Sequence, residues 1–339
     1  MEAHIIKFDS VQHKYTDEIG NIYRSVTQLI GDFTPQFDEM YWLAYKALEK
    51  NHKVRPNVER QIINVDGNDY TLTELYDESS FVSAGLQMEC QAIRREWKNK
   101  TKVAIDRGNE THNYLEGCIN KFYQTIDKVD IAKIHQFPHL NYSLKITSQA
   151  QLDDSPLRET HNDIYRKLCY FISQDFTIYA EFRVYSPDHR IAGTIDVFIV
   201  KGKEFYILDW KTNKKDLKFT CGYYKKVWKG NVKVETDEWV AKSETLLQPL
   251  SSIPNCKGGV YTIQLGTYAY ICELWGLHCL GLELYHIKSA DDIKVYEIPY
   301  RKLDIQYMFE YRSKQLQEEA VGVQETGLTF QSKSPFGIR

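Results

Sequence analysis

The sequence predicts an α/β protein: a mixed sheet with an antiparallel meander at its centre, flanked by helices, behind a mostly helical N-terminal half. Three observations predict it. Residues 177–185, 191–200 and 204–211 form three consecutive β-type runs joined by short, turn-rich connections. Helix-period spacing of apolar residues dominates the chain before them. After them, a helical segment over 261–275 precedes two further strand-like runs.

Taken in order, the first stretch reads as short strands around Tyr15 and from Ile22, leading into a helix entered over Val26 to Ile30. Trp42, Tyr45 and Leu48 recur at helical spacing beyond Pro35. Residues 62–72 alternate about Asp66-Gly67, a hairpin signal. From Gln87 to Phe122 the positions Ile93, Trp97, Val103, Leu115 and Ile119 fit a helix, with an interruption expected near Gly108. A loop holding His135, Pro138 and His139 precedes a helix over 163–174. The meander turns at Ser186-Pro187-Asp188 and at Lys201-Gly202-Lys203. A Lys- and Tyr-rich segment runs to Pro254, followed by the 261–275 helix, strands at 280–287 and 295–300, and a last helix through Glu318. No repeat or linker divides the chain. A single domain over 1–339 is expected, with a mainly helical part (1–175), a core (176–320) and a flexible polar tail (321–339).

Composition narrows the function classes. Hydrophobic content of 42% and charged content of 26% are ordinary for a globular protein and supply a core. No run approaches the roughly 18 apolar residues of a membrane helix, so no membrane partner is expected. Met1 to Ser10 resembles neither a signal peptide nor a transit sequence. The seven cysteines are odd in number, scattered and without a CxxC pair, which argues against structural zinc and for reduced thiols in a cytoplasmic setting. A net charge of −3 excludes a globally basic body, so a nucleic-acid partner would need a local basic groove.

The meander carries the chemistry. With Val200 opposite Phe205, the register sets Asp196 opposite Asp209. Alternation places both on one face with Lys211, and Ile195, Val197, Ile199, Tyr206, Leu208 and Trp210 on the other. The preceding hairpin, closed near Ser186 and Ile191, brings Glu181 opposite Asp196. Like charges facing one another on a sheet are destabilising, and a hard cation with oxygen ligands compensates them. One or two Mg²⁺ or Mn²⁺ ions held by Asp196, Asp209 and the carbonyl of Trp210, with Glu181 bound directly or through water, would activate a water molecule. Lys211 would orient that water or neutralise charge building on a phosphate. The rivals are charged residues on the wet face of a sheet, and an acid/base pair of a glycosidase, whose chemistry calls for no lysine inside the pair.

Gly193-Thr194-Ile195-Asp196 followed by Ile207-Leu208-Asp209-Trp210-Lys211-Thr212 resembles the GxxD…DxK core of the PD-(D/E)xK superfamily. Arg107-Gly108 with His112 and Glu116, and Gln264 with Tyr268, are similar to the flanking motifs of its RecB-like exonuclease branch. Ser25-Val26-Thr27 and the helix beyond resemble the opening of the mitochondrial genome maintenance exonucleases and related phage and bacterial nucleases. The likeness in motifs covers roughly residues 105–275. It implies a restriction-endonuclease-like core, His112 as an additional metal ligand, and Gln264 and Tyr268 in contact with DNA or ordering the site. His112 and Glu116 at i, i+4, like Gln264 and Tyr268, share a helix face. Some relatives bind an iron–sulphur cluster through a close cysteine trio. Cys256, Cys272 and Cys279 depart from that spacing, so no cluster is expected.

Beyond the core, Lys214, Lys215, Lys218, Lys225, Lys226 and Lys229 are interleaved with Phe219, Tyr223, Tyr224 and Trp228. Lysines meet phosphates and exposed rings stack on bases, so an arm that guides a strand is expected, with Lys214, Lys215, Tyr224 and Trp228 as its contacts. Arg94, Arg95, Lys98, Lys100 and Lys102 offer a second basic wall. The expectation is a metal-dependent DNA exonuclease of recombination, repair or phage DNA processing, acting on single-stranded DNA or free ends. The alternatives are a structure-specific or restriction-type endonuclease on the same core, and a non-cleaving nucleic-acid-binding module.

Overall fold

In a computed structural model, residues 6–9, 12, 14–51, 62–65, 68–71, 84–120, 145–146, 148–153, 155–230 and 232–326 are described. The Asp66-Gly67 turn, Phe122, the segment with His135, Pro138 and His139, and residues 327–339 lie outside them. Strands β1 (Lys7–Asp9), β2 (Lys14–Thr16) and β3 (Ile22–Ser25) lead into helices α1 (Val26–Gly31) and α2 (Glu39–Asn51). The hairpin of β4 (Ile62–Val65) and β5 (Asn68–Thr71) follows, then the long α3 (Ala84–Asn120). Next come β6 (Lys145–Ile146), α4 (Gln149–Asp153), α5 (Leu157–Thr160) and α6 (Asn162–Ser173). The meander is β7 (Thr177–Ser186), β8 (Ile191–Lys201) and β9 (Glu204–Lys211), followed by the ribbon β10 (Gly222–Lys229) and β11 (Val232–Ala241). Helix α7 (Lys257–Leu274), β12 (His278–Ser289), β13 (Asp292–Glu297) and α8 (Lys302–Thr326) complete the chain.

The contact pattern gives two compact units, Met1–Thr34 with His112–Arg339, and Pro35–Thr111. Two expectations are corrected here. Helix α3 passes Gly108 without a break, because one glycine costs only about 1 kcal/mol in a helix interior. The last helix also runs past Glu318 to Thr326, into the segment expected to be loose.

The larger unit is built on a mixed sheet, nine-stranded among the described residues. Strand β8 is antiparallel to β7 along one edge, from Thr177↔Val200 to Ser186↔Ile191. Its other edge is shared. At its start, Ile191 and Ala192 pair in parallel with Arg24 and Ser25 of β3; from Val197 onward it is antiparallel to β9. Strand β9 is parallel to β12, reached through α7, as a parallel pair requires a long crossover. Helix α1 is set onto β3 by a capping box, in which Ser25 accepts from the Gln28 amide and the Gln28 side chain accepts from the Ser25 amide.

Helices cover both faces. One core joins Leu29 and Ile30 of α1, Ile263 and Leu265 of α7 and Ile305 and Met308 of α8 to Phe198, Val200, Phe205 and Ile207. The other joins Leu115 and Ile119 of α3 and Ile164, Leu168 and Phe171 of α6 to Val197, Ile199, Leu208 and Trp210. The expected side-chain alternation fails at one place. Ile178 and Ala180 belong to the second core, but Phe182 and Val184 to the first. Likewise Ile195 packs in the first core, not with Val197 and Ile199. The change of face occurs at Glu181, whose φ of 48° is left-handed, and at Asp196 facing it. Both residues are skipped by the strand pairing on either side of them.

Candidate metal centre

The expected register is the one observed: Val200 pairs with Phe205 and the ladder continues to Val197↔Leu208. One step further, side-chain chemistry replaces the ladder. Asp196 Oδ2 accepts the Trp210 amide at 2.7 Å. Its other oxygen, Oδ1, lies 3.5 Å from His112 Nδ1. On the opposite edge the left-handed backbone at Glu181 brings its carboxylate toward the same place. Donor atoms of His112, Glu181 and Asp196 all lie within 4.8 Å of one another. This trio draws on three separate elements: α3, β7 and β8.

Asp209 stands beside the trio and is turned differently. Its carboxylate forms an ion pair with Lys211, two residues along the same strand. The Lys211 ammonium also lies 4.8 Å from the centre of the Tyr261 ring. Of the Trp210 main chain, the amide is what engages Asp196. On α7, Gln264 Nε2 donates to the Tyr268 hydroxyl at 2.9 Å. The Tyr268 ring covers Gly193, where an added Cβ would sit 2.5 Å from a ring carbon. The glycine of Gly193-Thr194-Ile195-Asp196 is therefore a seat for the tyrosine of the second motif. Thr194 in turn shares a 3.1 Å hydrogen bond with the Tyr15 hydroxyl from β2.

Burial and mutual repulsion leave the acids unequally charged. Burial pushes Glu181 up to about 8, with the charges of Asp196 and Glu116 adding to it. Burial likewise pushes Asp209 up to about 6, against the pull of Lys211. Burial would also raise Asp196, but His112 and Lys211 outweigh it and hold its carboxyl below the ordinary range. Burial disfavours the charge on His112, yet Asp196 beside it prevails and the imidazole is raised. Burial opposes the Lys211 charge too, and Asp209 with Asp196 reverses that effect. A group of buried and half-buried acids this unwilling to ionise together is one that a divalent cation would relieve. Nitrogen and carboxylate donors from His112, Glu181 and Asp196 suit Mn²⁺, and with water completing the shell also Mg²⁺.

The Lys- and Tyr-rich segment forms a two-stranded ribbon apart from the main sheet. Its lysines are more compensated than the sequence indicates. Lys215 and Lys226 pair with Glu235, and Lys225 pairs with Glu238 on the facing strand. Lys215 and Lys218 lie over the Tyr224 ring at 5.2 and 5.7 Å, and Tyr224 packs edge-on against Trp239. Lys214 is exposed, and the side chain of Trp228 lies outside the described residues. In the smaller unit Arg94 pairs with Glu39 and Lys100 with Glu96.

Sequence reasoning passed over Tyr261, Asn213 and Tyr15. Tyr261 had a readable signal, since Tyr261, Gln264 and Tyr268 stand at i, i+3 and i+7 on one face of α7. Tyr15 had none, because its partner is 179 residues away. Compared with known proteins, the chain matches no family model, no curated protein and no solved structure. No helix among the described residues is long and apolar enough to cross a membrane.

Proposed function

We propose that this chain is a divalent-metal-dependent nuclease of the PD-(D/E)xK class, of the RecB-like exonuclease branch, hydrolysing DNA phosphodiester bonds. The observation that carries the reading is the convergence of His112, Glu181 and Asp196 beside the Asp209–Lys211 pair. His112, Glu181 and Asp196 would hold Mg²⁺ or Mn²⁺, and Asp209 would join them once its carboxylate is shared with Lys211. A cation so held would lower the pKa of a bound water and offset charge developing on the phosphate.

The chain's own groups do the rest. The Trp210 amide fixes one oxygen of Asp196, so the carboxylate keeps a single orientation toward His112. The Lys211 ammonium places fixed positive charge at the row of acids, where a phosphate oxygen would gain negative charge. Tyr268, held by Gln264, is seated on Gly193, three residues before Asp196. Lys214, Lys215 and the Tyr224 ring offer a phosphate- and base-contacting surface on the chain that leaves Lys211.

End-labelled single- and double-stranded DNA with Mg²⁺ or Mn²⁺ tests the reading. The wild type is expected to cleave, whereas Asp209→Asn and Lys211→Ala lose cleavage and keep a native circular-dichroism spectrum. Metal-dependent cleavage retained in both variants would overturn it. Closed circular DNA separates an end-requiring exonuclease from an endonuclease. Absence of heat on titration with Mn²⁺ would favour a non-cleaving nucleic-acid-binding module.

A further inference from the structure

We infer that Tyr261 is a positioning residue that, clamped by Asn213, holds the Lys211 ammonium over the carboxylate row; the inference rests on the nuclease reading for its purpose, though not for its test. Lys211 is the last residue of β9, and beyond it the chain leaves the sheet. A lysine has four rotatable side-chain bonds, and at a strand end it would swing toward water unless held. Two groups hold it. Asp209 takes the ammonium on one side, and the face of Tyr261 lies 4.8 Å from it on another. A desolvated cation over a tyrosine face is attracted by the ring quadrupole, which favours one ammonium position over its alternatives.

The ring is itself fixed. The Tyr261 hydroxyl donates to Asn213 Oδ1 at 3.2 Å. Asn213 lies two residues beyond Lys211, so the clamp joins α7 to the segment leaving the lysine. Its main chain is tied down in turn: the Asn213 carbonyl accepts from His286 Nε2 at 2.6 Å. A carbonyl can only accept, so this nitrogen carries the proton. His286 is fully buried on β12, directly across the parallel pair from Lys211, and its Nδ1 has no protein partner among the described residues. The buried His286 ring, donating through Nε2, therefore serves as a peg beneath Asn213. The result is a chain of contacts from β12 through the post-β9 segment and α7 back to the ammonium.

The test reads the lysine directly. A short pulse of acetic anhydride acylates accessible amines, and peptide mass spectrometry gives the rate at Lys211 relative to exposed Lys98 as an internal standard. Tyr261→Leu is expected to raise the relative rate about tenfold, the loss of one desolvated cation–π contact. Tyr261→Phe keeps the ring and loses its anchor, and is expected to raise the rate about threefold; Asn213→Ala should match it. In the nuclease assay these variants are expected to lower kcat with KM unchanged. Equal labelling of Lys211 in the wild type and Tyr261→Leu would overturn the inference. If Tyr261→Leu fails to fold, unchanged labelling in Tyr261→Phe and Asn213→Ala overturns it equally. A wild type that does not cleave DNA defeats the nuclease reading, while the labelling still decides the role of Tyr261.

Discussion

Glu181 combines two costs that a purely structural residue would not carry. Its backbone is left-handed, which costs a non-glycine residue on the order of 1 kcal/mol or more. Its carboxyl is also held at about 8 by burial and by Asp196 and Glu116. The sign of the pH effect follows. A folded-state pKa raised above the ordinary 4.5 leaves stability intact below that value and removes it as pH rises toward 8. Metal-free Glu181→Gln is therefore expected to gain in Tm over the wild type across pH 5 to 8, by on the order of 1–3 °C, with the advantage levelling off above that window. Thermal melts in chelator at several pH values measure this; a difference that stays flat across them counts against it. Gly193→Ala is the opposite kind of change. The new methyl group meets the Tyr268 ring, so a loss of about 1–3 kcal/mol is expected in denaturant unfolding, with cleavage lost through displacement of the ring. Tyr268→Leu in the same background should recover part of the stability and none of the activity. At this scale the sequence was legible wherever contacts are local. Asp196 and Asp209 followed from counting back from a turn, whereas Tyr15 and His286 reach the site through pairings between distant segments.

At the scale of elements, the three meander strands and the hairpins were readable because each is bounded by turn chemistry, such as Lys201-Gly202-Lys203 with Gly202 at φ 59°. The change of face at Glu181 was not. Ile178, Ala180, Phe182 and Val184 read as one uninterrupted apolar row, yet cores on both sides of this sheet take two of them each. A pattern of alternation reports a face only where the other face is wet. The orientation of Asp209 toward Lys211 was hidden for a related reason, since i and i+2 on one strand identify a shared face but not the rotamers. Three lysines of the basic segment, Lys215, Lys225 and Lys226, have acidic partners on β11 that the reading of the segment alone did not weigh. One element carries a simple check. Ser25 ends β3 and caps α1 through both bonds of its capping box. Ser25→Ala is expected to cost about 1 kcal/mol in urea unfolding, and no measurable cost would show the helix start to be held by packing alone.

For the molecule as a whole, a net charge of −3 means that the proposed attraction to DNA would have to come from local groups, and several of the described lysines are already paired. Binding of a cation by His112, Glu181 and Asp196 would then have a double consequence: it would remove negative charge where a phosphate would arrive, and it would tie three elements together. Mass action gives the size of the second effect. Free Mn²⁺ at a hundredfold over its dissociation constant is expected to stabilise the fold by about 2.7 kcal/mol, read as a rise in Tm. Asp196→Asn should abolish that rise. An equal rise in the variant would place the ion elsewhere.

Strand β8 also leaves a mark on how the protein exchanges its amide protons. Between Ala192, the last residue paired with β3, and Val197, the first paired with β9, one edge of this strand carries no ladder among the described residues. This strand is thus paired on both edges at its ends, on one edge only over Gly193 to Ile195, and on neither at Asp196. Protection against deuterium should dip over residues 193–196, on amides facing that open edge, and recover on both sides. A local leak in an otherwise slow-exchanging strand would be the solvent's own signature of the place where the sheet parts to admit the acids, and adding Mn²⁺ should narrow it.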